Sequence, residues 1–146
     1  KWRTLWGLDN SMLKDCGANC PNPSDFVLDF SKHLAKTYGD RKSGIIEATE
    51  DLVIRGFFGV GQDNCTNRFL IDPPLPGPLF TEGLLDFSEQ MKEYPNFFTY
   101  YPSGAESNRH TWLSSTALYT YSVGGVALID WVTAIINDTP TTNAGP

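Results

Sequence analysis

Two short runs of strand-forming residues, separated and followed by stretches of helical periodicity, constrain this chain more than anything else in it. Ser43-Gly44-Ile45-Ile46-Glu47-Ala48-Thr49 reads as a short buried strand running into a turn. Phe97-Phe98-Thr99-Tyr100-Tyr101 is aromatic and strand-like, and Pro102 and Gly104 break it. Before the first run, Phe26, Val27, Phe30, Leu34, Ala35 and Tyr38 recur at helical spacing. Ser24 is a suitable N-cap there, Asp25 stands in the first turn and Gly39 supplies the stop, so a helix is predicted over 25–38. Residues 50–59 predict a short helix closed by Gly59 and Gly61, and 62–78 a proline-rich loop. Thr81 is expected to cap a helix over 82–93, which Pro95 ends. Residues 126–136 are expected to form a last apolar helix, 139–146 a tail, and 1–23 an irregular start broken by Gly7, Gly17, Pro21 and Pro23.

Strands alternating with helices imply an α/β fold, with a parallel sheet flanked by helices. Two strands do not make a stable sheet of that type. The expectation is therefore that 1–146 is the C-terminal portion of a single domain whose other strands lie upstream. The opening Lys1-Trp2-Arg3, with no initiator Met and no signal peptide, reads as a processed product or an internal piece.

Charge narrows the partners. Seventeen acids against 11 bases give a net charge of -6, which argues against nucleic acid, since phosphate binding needs a basic surface. No polybasic anchor for an anionic membrane is present, and every apolar run is too short to span a bilayer. Cys16, Cys20 and Cys65 are an odd count, which in a secreted protein suggests a bond to another segment or polypeptide. A Cys16–Cys20 disulfide closing a small loop is the preferred reading. Cys65 then pairs outside this chain or stays free. A metal site is the weaker reading, because Cys16-x3-Cys20 with distant Cys65 lacks a clear fourth ligand. Asn64-Cys65-Thr66 and Asn137-Asp138-Thr139 are glycosylation sequons, meaningful on a eukaryotic secretory route. An extracellular location is expected.

In an open α/β sheet, functional groups gather at the carboxyl ends of the strands. Glu47, Glu50 and Asp51 follow the first predicted strand, and a loop to His110 follows the second. An acid followed by a histidine after successive strands is the second half of the order Ser…Asp/Glu…His in α/β-hydrolases. In such a triad the histidine takes the serine proton and returns it to the leaving group, and the carboxylate fixes its tautomer. No G-x-S-x-G occurs in the chain, and Ser11, Ser103, Ser107, Ser114 and Ser115 do not sit on a strand-to-helix elbow. A plainer reading stands beside this one: Asp51 favours a helix N-terminus, and His110 is a surface or packed histidine. His33, inside the first predicted helix, reads as a solvated or packing residue. The four tryptophans read as core, with sugar stacking as the alternative.

The stretches "KWRTLWGLD", "CGANC", "GIIEATEDLVIRGFFGVG", "FFTYYPSGAESNRHTWL" and "YSVGGVALIDWV" resemble the C-terminal part of the pectin acetylesterase-like hydrolases. That family includes bacterial secreted esterases and is related to the animal carboxylesterase Notum. The resemblance covers roughly residues 2–136. It implies a secreted α/β-hydrolase with a Ser-Asp-His triad that removes acyl groups from carbohydrate or related esters, with no cofactor. The family acid lands on Asp51 and the family histidine on His110. Gly104 and Trp112 would shape the site without taking part in proton transfer. The family's cysteine pattern includes a partner further upstream, which would account for Cys65. The family nucleophile and its oxyanion-hole glycines also lie upstream of any position matching Lys1. The implied partner is therefore the N-terminal portion of the same hydrolase. The runner-up is a non-catalytic extracellular structural or carbohydrate-binding protein built from a hydrolase fold.

Overall fold

The two predicted strands pair directly. In the computed structural model, which describes residues 2–21, 25–59 and 74–146, β1 (Ser43–Ile46) and β2 (Phe97–Tyr100) run parallel, with Ser43 opposite Phe97 and Ile46 opposite Tyr100. Gly44 is dictated by packing. A Cβ there would stand 2.6 Å from the Trp131 ring and 2.9 Å from the Phe98 carbonyl oxygen. Among the described residues this parallel sheet has two strands, and a second two-stranded sheet is antiparallel. The fold is thus mixed helix and strand with small sheets.

Helix α1 (Trp2–Leu5) and two short 3-10 turns, Leu8–Asn10 and Gly17–Asn19, give the predicted irregular start some regular structure. Cys16 and Cys20 form a disulfide, with Cα atoms 5.7 Å apart. Both are buried with Leu13, against Leu8, Phe26 and Phe30. Helix α2 (Phe26–Thr37) falls where periodicity put it. Its N-cap position is Asp25, with no side-chain cap bond, and the predicted cap Ser24 lies outside the described residues. The amide of Asn96, just before β2, reaches the carbonyls of Ala35, Tyr38 and Arg41 and so ties the end of α2 to the sheet.

Helix α3 (Leu52–Gly59) follows β1, and α4 (Gly77–Met91) precedes β2. Helix α4 begins before the predicted residue 82. Pro78 sits in its first turn, where a missing N–H is harmless, and Pro76 takes the N-cap position. Thr81 is not a cap. Its hydroxyl bonds back to the Gly77 carbonyl and across to the Thr49 carbonyl at 2.7 Å, fastening α4 to the turn after β1. Most of the predicted loop 62–78, with Gly61, lies outside the described residues.

Toward the C-terminus, α5 (Ala117–Thr120) leads into a hairpin of β3 (Ser122–Val123) and β4 (Val126–Ala127). The predicted final helix starts two residues late, as α6 (Leu128–Ile136), because Val126 and Ala127 belong to this hairpin. Gly124 and Gly125 both have positive φ, at 56° and 83°, as a two-residue hairpin turn requires. The main core gathers Ala48, Tyr100, Trp112, Leu128 and Trp131. Tyr100 packs edge-on against Trp131 and donates its hydroxyl proton to the Val126 carbonyl at 2.8 Å. Within 139–146, the predicted tail, Ala144 lies against β2. Its N–H bonds to the Thr99 carbonyl and its carbonyl accepts from the Tyr101 N–H at 2.8 Å.

Candidate functional site

Both strands end on the same side of the sheet, because they are parallel. The chains leaving them do not part at once. The Glu47 N–H donates to the Tyr100 carbonyl at 3.1 Å, Thr49 to Pro102 at 2.8 Å, and Glu50 to Ser107 at 2.8 Å. These main-chain bonds carry the pairing past the strands and deliver Asp51 to the loop that bears His110.

Asp51 and His110 meet there. The Asp51 Oδ2 lies 2.8 Å from the His110 Nδ1. The other carboxylate oxygen, Oδ1, accepts from the Val53 N–H at 2.8 Å and the Ile54 N–H at 2.9 Å. Asp51 therefore caps α3 and binds His110 at once, so the helix-end and catalytic readings of this residue are compatible. Its side chain is 0% exposed, whereas that of His110 is 42% exposed. Three donors thus converge on one carboxylate. With that anion on Nδ1, the imidazole proton sits on Nδ1 and Nε2 is left as the acceptor. Among the described residues no serine hydroxyl bonds to Nε2.

The walls follow from the same loops. Arg109 pairs with Glu106 and stacks over the Trp112 ring, 5.5 Å from its centre. Trp112 is buried and packs on Tyr121. Gly104 opens a 3-10 turn (Gly104–Glu106) at positive φ. Arg55 of α3 donates to the carbonyls of Leu75 and Glu50 and reaches the Asn108 side chain at 3.4 Å, bracing both exits.

Two groups here had no assigned role in the sequence reading. Glu47 lies inside the site, with its Oε1 sealed from solvent and without a hydrogen-bond partner among the described residues. Burial, then a hydrogen bond with Asp51 and its charge, pushes the Glu47 carboxyl up to about 8. The Tyr101 hydroxyl is likewise buried without a partner among the described residues. Burial first, and Glu47 second, push this phenol above its ordinary range. The signal in the sequence was only an acid directly after a strand.

The other candidates stand apart from this site. Cys16 and Cys20 are in the N-terminal cluster. Asn137 is exposed at the end of α6. His33 is half-buried on α2, and Trp6 is exposed, while Trp131 is core. Cys65 and Asn64 lie outside the described residues. Among the described residues no cluster of His, Cys, Asp and Glu approaches a metal site, and no helix is long and apolar enough to cross a membrane. Comparison with protein-family models, characterised proteins and solved structures gave no match.

Proposed function

We propose that this chain supplies the acid and base of a serine carboxylic-ester hydrolase, with Asp51 orienting His110 and His110 moving the proton. The observation that carries the reading is the bond between a fully buried, helix-capping carboxylate and an imidazole left open on its other nitrogen. That division of labour is what acyl transfer needs. One group must not move, and the other must reach both nucleophile and leaving group. The resemblance to pectin acetylesterase-like hydrolases adds the substrate class, an acyl ester of carbohydrate or a related alcohol. It also places the serine in an upstream portion of the same hydrolase, as part of a larger parallel sheet that β1 and β2 extend. The proposed setting is extracellular, which suits the disulfide.

The mechanism follows from the two nitrogens. The serine oxygen attacks the ester carbonyl as Nε2 takes its proton, and the Asp51 anion stabilises the imidazolium. The same Nε2–H then protonates the leaving alkoxide. Water repeats the sequence on the acyl-enzyme.

The native material is first weighed intact without reduction and again after reduction, then assayed on an acetyl ester and labelled with a serine-directed fluorophosphonate. His110→Ala should lower turnover by at least about a thousandfold. Unchanged turnover in that variant would remove the reading. The runner-up, a non-catalytic extracellular binding or structural protein, is favoured by the lack of a described serine on Nε2. An assembly of this chain alone, with no turnover and no label, would select it.

A further inference from the structure

We propose that Glu47 is a positioning residue for the Asp51–His110 pair: it stands as a neutral carboxylic acid that donates its proton to the Asp51 carboxylate, and its ionisation loosens the pair. Its effect on turnover rests on the hydrolase reading, while its protonation rests on burial and on the partners of the two carboxyl groups. Two carboxyl groups in contact, sheltered from water, cannot both be charged without a large cost, so they share one proton. The partners decide which holds it. Asp51 accepts three donors, from Val53, Ile54 and His110. The sealed Glu47 Oε1 accepts none from the described residues, and the carboxyl as a whole has only the Ala48 N–H as a donor among them. The proton therefore resides on Glu47.

Among the described residues, the neighbours leave Glu47 no cation. On its own turn the charged groups are Asp51 and Glu50, and the Glu50 carboxyl packs on Gly77 of α4. From the end of β2 it faces the uncharged phenol of Tyr101. From the third chain segment His110 is held by Asp51, and Arg109 by Glu106. Arg55 of α3 directs its guanidinium to Leu75, Glu50 and Asn108. Burial and the Asp51 contact raise Glu47 from its ordinary 4.5 to about 8. Raising the pH past that point places a second anion beside Asp51 and removes the donor. The two carboxylates then repel one another, which draws Asp51 out of register with the His110 ring.

The test is a carboxyl-carbon NMR titration of the whole native protein, with the His110 ring followed in parallel. Expected are a Glu47 carboxyl that titrates near pH 8 and a matching inflection in His110. A Glu47 that titrates below pH 5 overturns the proposal, and this wild-type measurement needs no variant to fold. In turnover, Glu47→Leu should cost about ten- to a hundredfold, the loss of one hydrogen bond to a charged group. Glu47→Gln, which keeps a donor and cannot ionise, should recover most of that and keep its rate above pH 8 where the wild type declines. An unchanged alkaline limb in Glu47→Gln overturns the proposal. The two readings fail differently. A normal Glu47 titration in a protein that His110→Ala inactivates sinks only this inference. An alkaline Glu47 titration in a protein without turnover sinks only the hydrolase.

Discussion

The exits from β1 and β2 are built to opposite specifications. The first turns at once into α3 and spends Asp51 on three hydrogen bonds in a fully buried setting. The second passes through a proline, a 3-10 turn and a short loop before presenting a half-exposed imidazole. The contrast shows where precision is stored. The carboxylate is fixed by a helix N-terminus, so it costs the site little reorganisation. Among the described residues the imidazole is held at one nitrogen, Nδ1.

Substitution should separate the two exits. Asp51→Asn is expected to cut turnover by about ten-thousandfold, since the amide no longer enforces the working tautomer. Asp51→Ala should in addition cost about 1 kcal/mol of stability from the lost cap, read by urea unfolding. His110→Ala leaves the cap bonds to Val53 and Ile54 in place and should cost less than Asp51→Ala. Equal destabilisation by both would erase the contrast. Gly44→Ala comes next in size. It forces a methyl group into Trp131 and should destabilise the whole parallel pair by about 1–3 kcal/mol, because a filled core has no slack. A neutral result would mean that α6 gives way more easily than its packing suggests.

A further effect is a slope with pH. Glu47 is raised in the fold from 4.5 to about 8. The folded chain keeps a proton that the unfolded chain releases in that window. The contribution of Glu47 to stability is therefore fully present below about 4.5 and is lost as pH rises to about 8. Thermal unfolding across that range should show the decline, and Glu47→Gln should flatten it. A slope unaltered by the substitution would assign it to other groups.

What the sequence yielded depended on how local each determinant was. Helix α2 was legible because its apolar residues repeat over twelve positions. The strands were legible from their β-branched and aromatic residues, and with them the order of Asp51 and His110. The start of α4 was misplaced because Thr81 looks like a cap in isolation. Its contacts with Thr49, 32 residues away, and with Gly77 reveal that the hydroxyl has other work. The hairpin after α5 was absorbed into a helix although Gly124-Gly125 marked it, since Val126 and Ala127 fit either pattern. Glu47 was visible as an acid but not as a neutral one. Its state depends on burial and on a neighbour's hydrogen bonds, and neither is written in spacing.

The main-chain bonds that link Glu47, Thr49 and Glu50 to Tyr100, Pro102 and Ser107 have one more consequence. They act as a ruler made of backbone, indifferent to side-chain identity. The separation of Asp51 and His110 is then protected against sequence drift in the intervening loop. Ser103 and Ala105 become natural places to vary a library of this protein while Asp51 and His110 keep their distance.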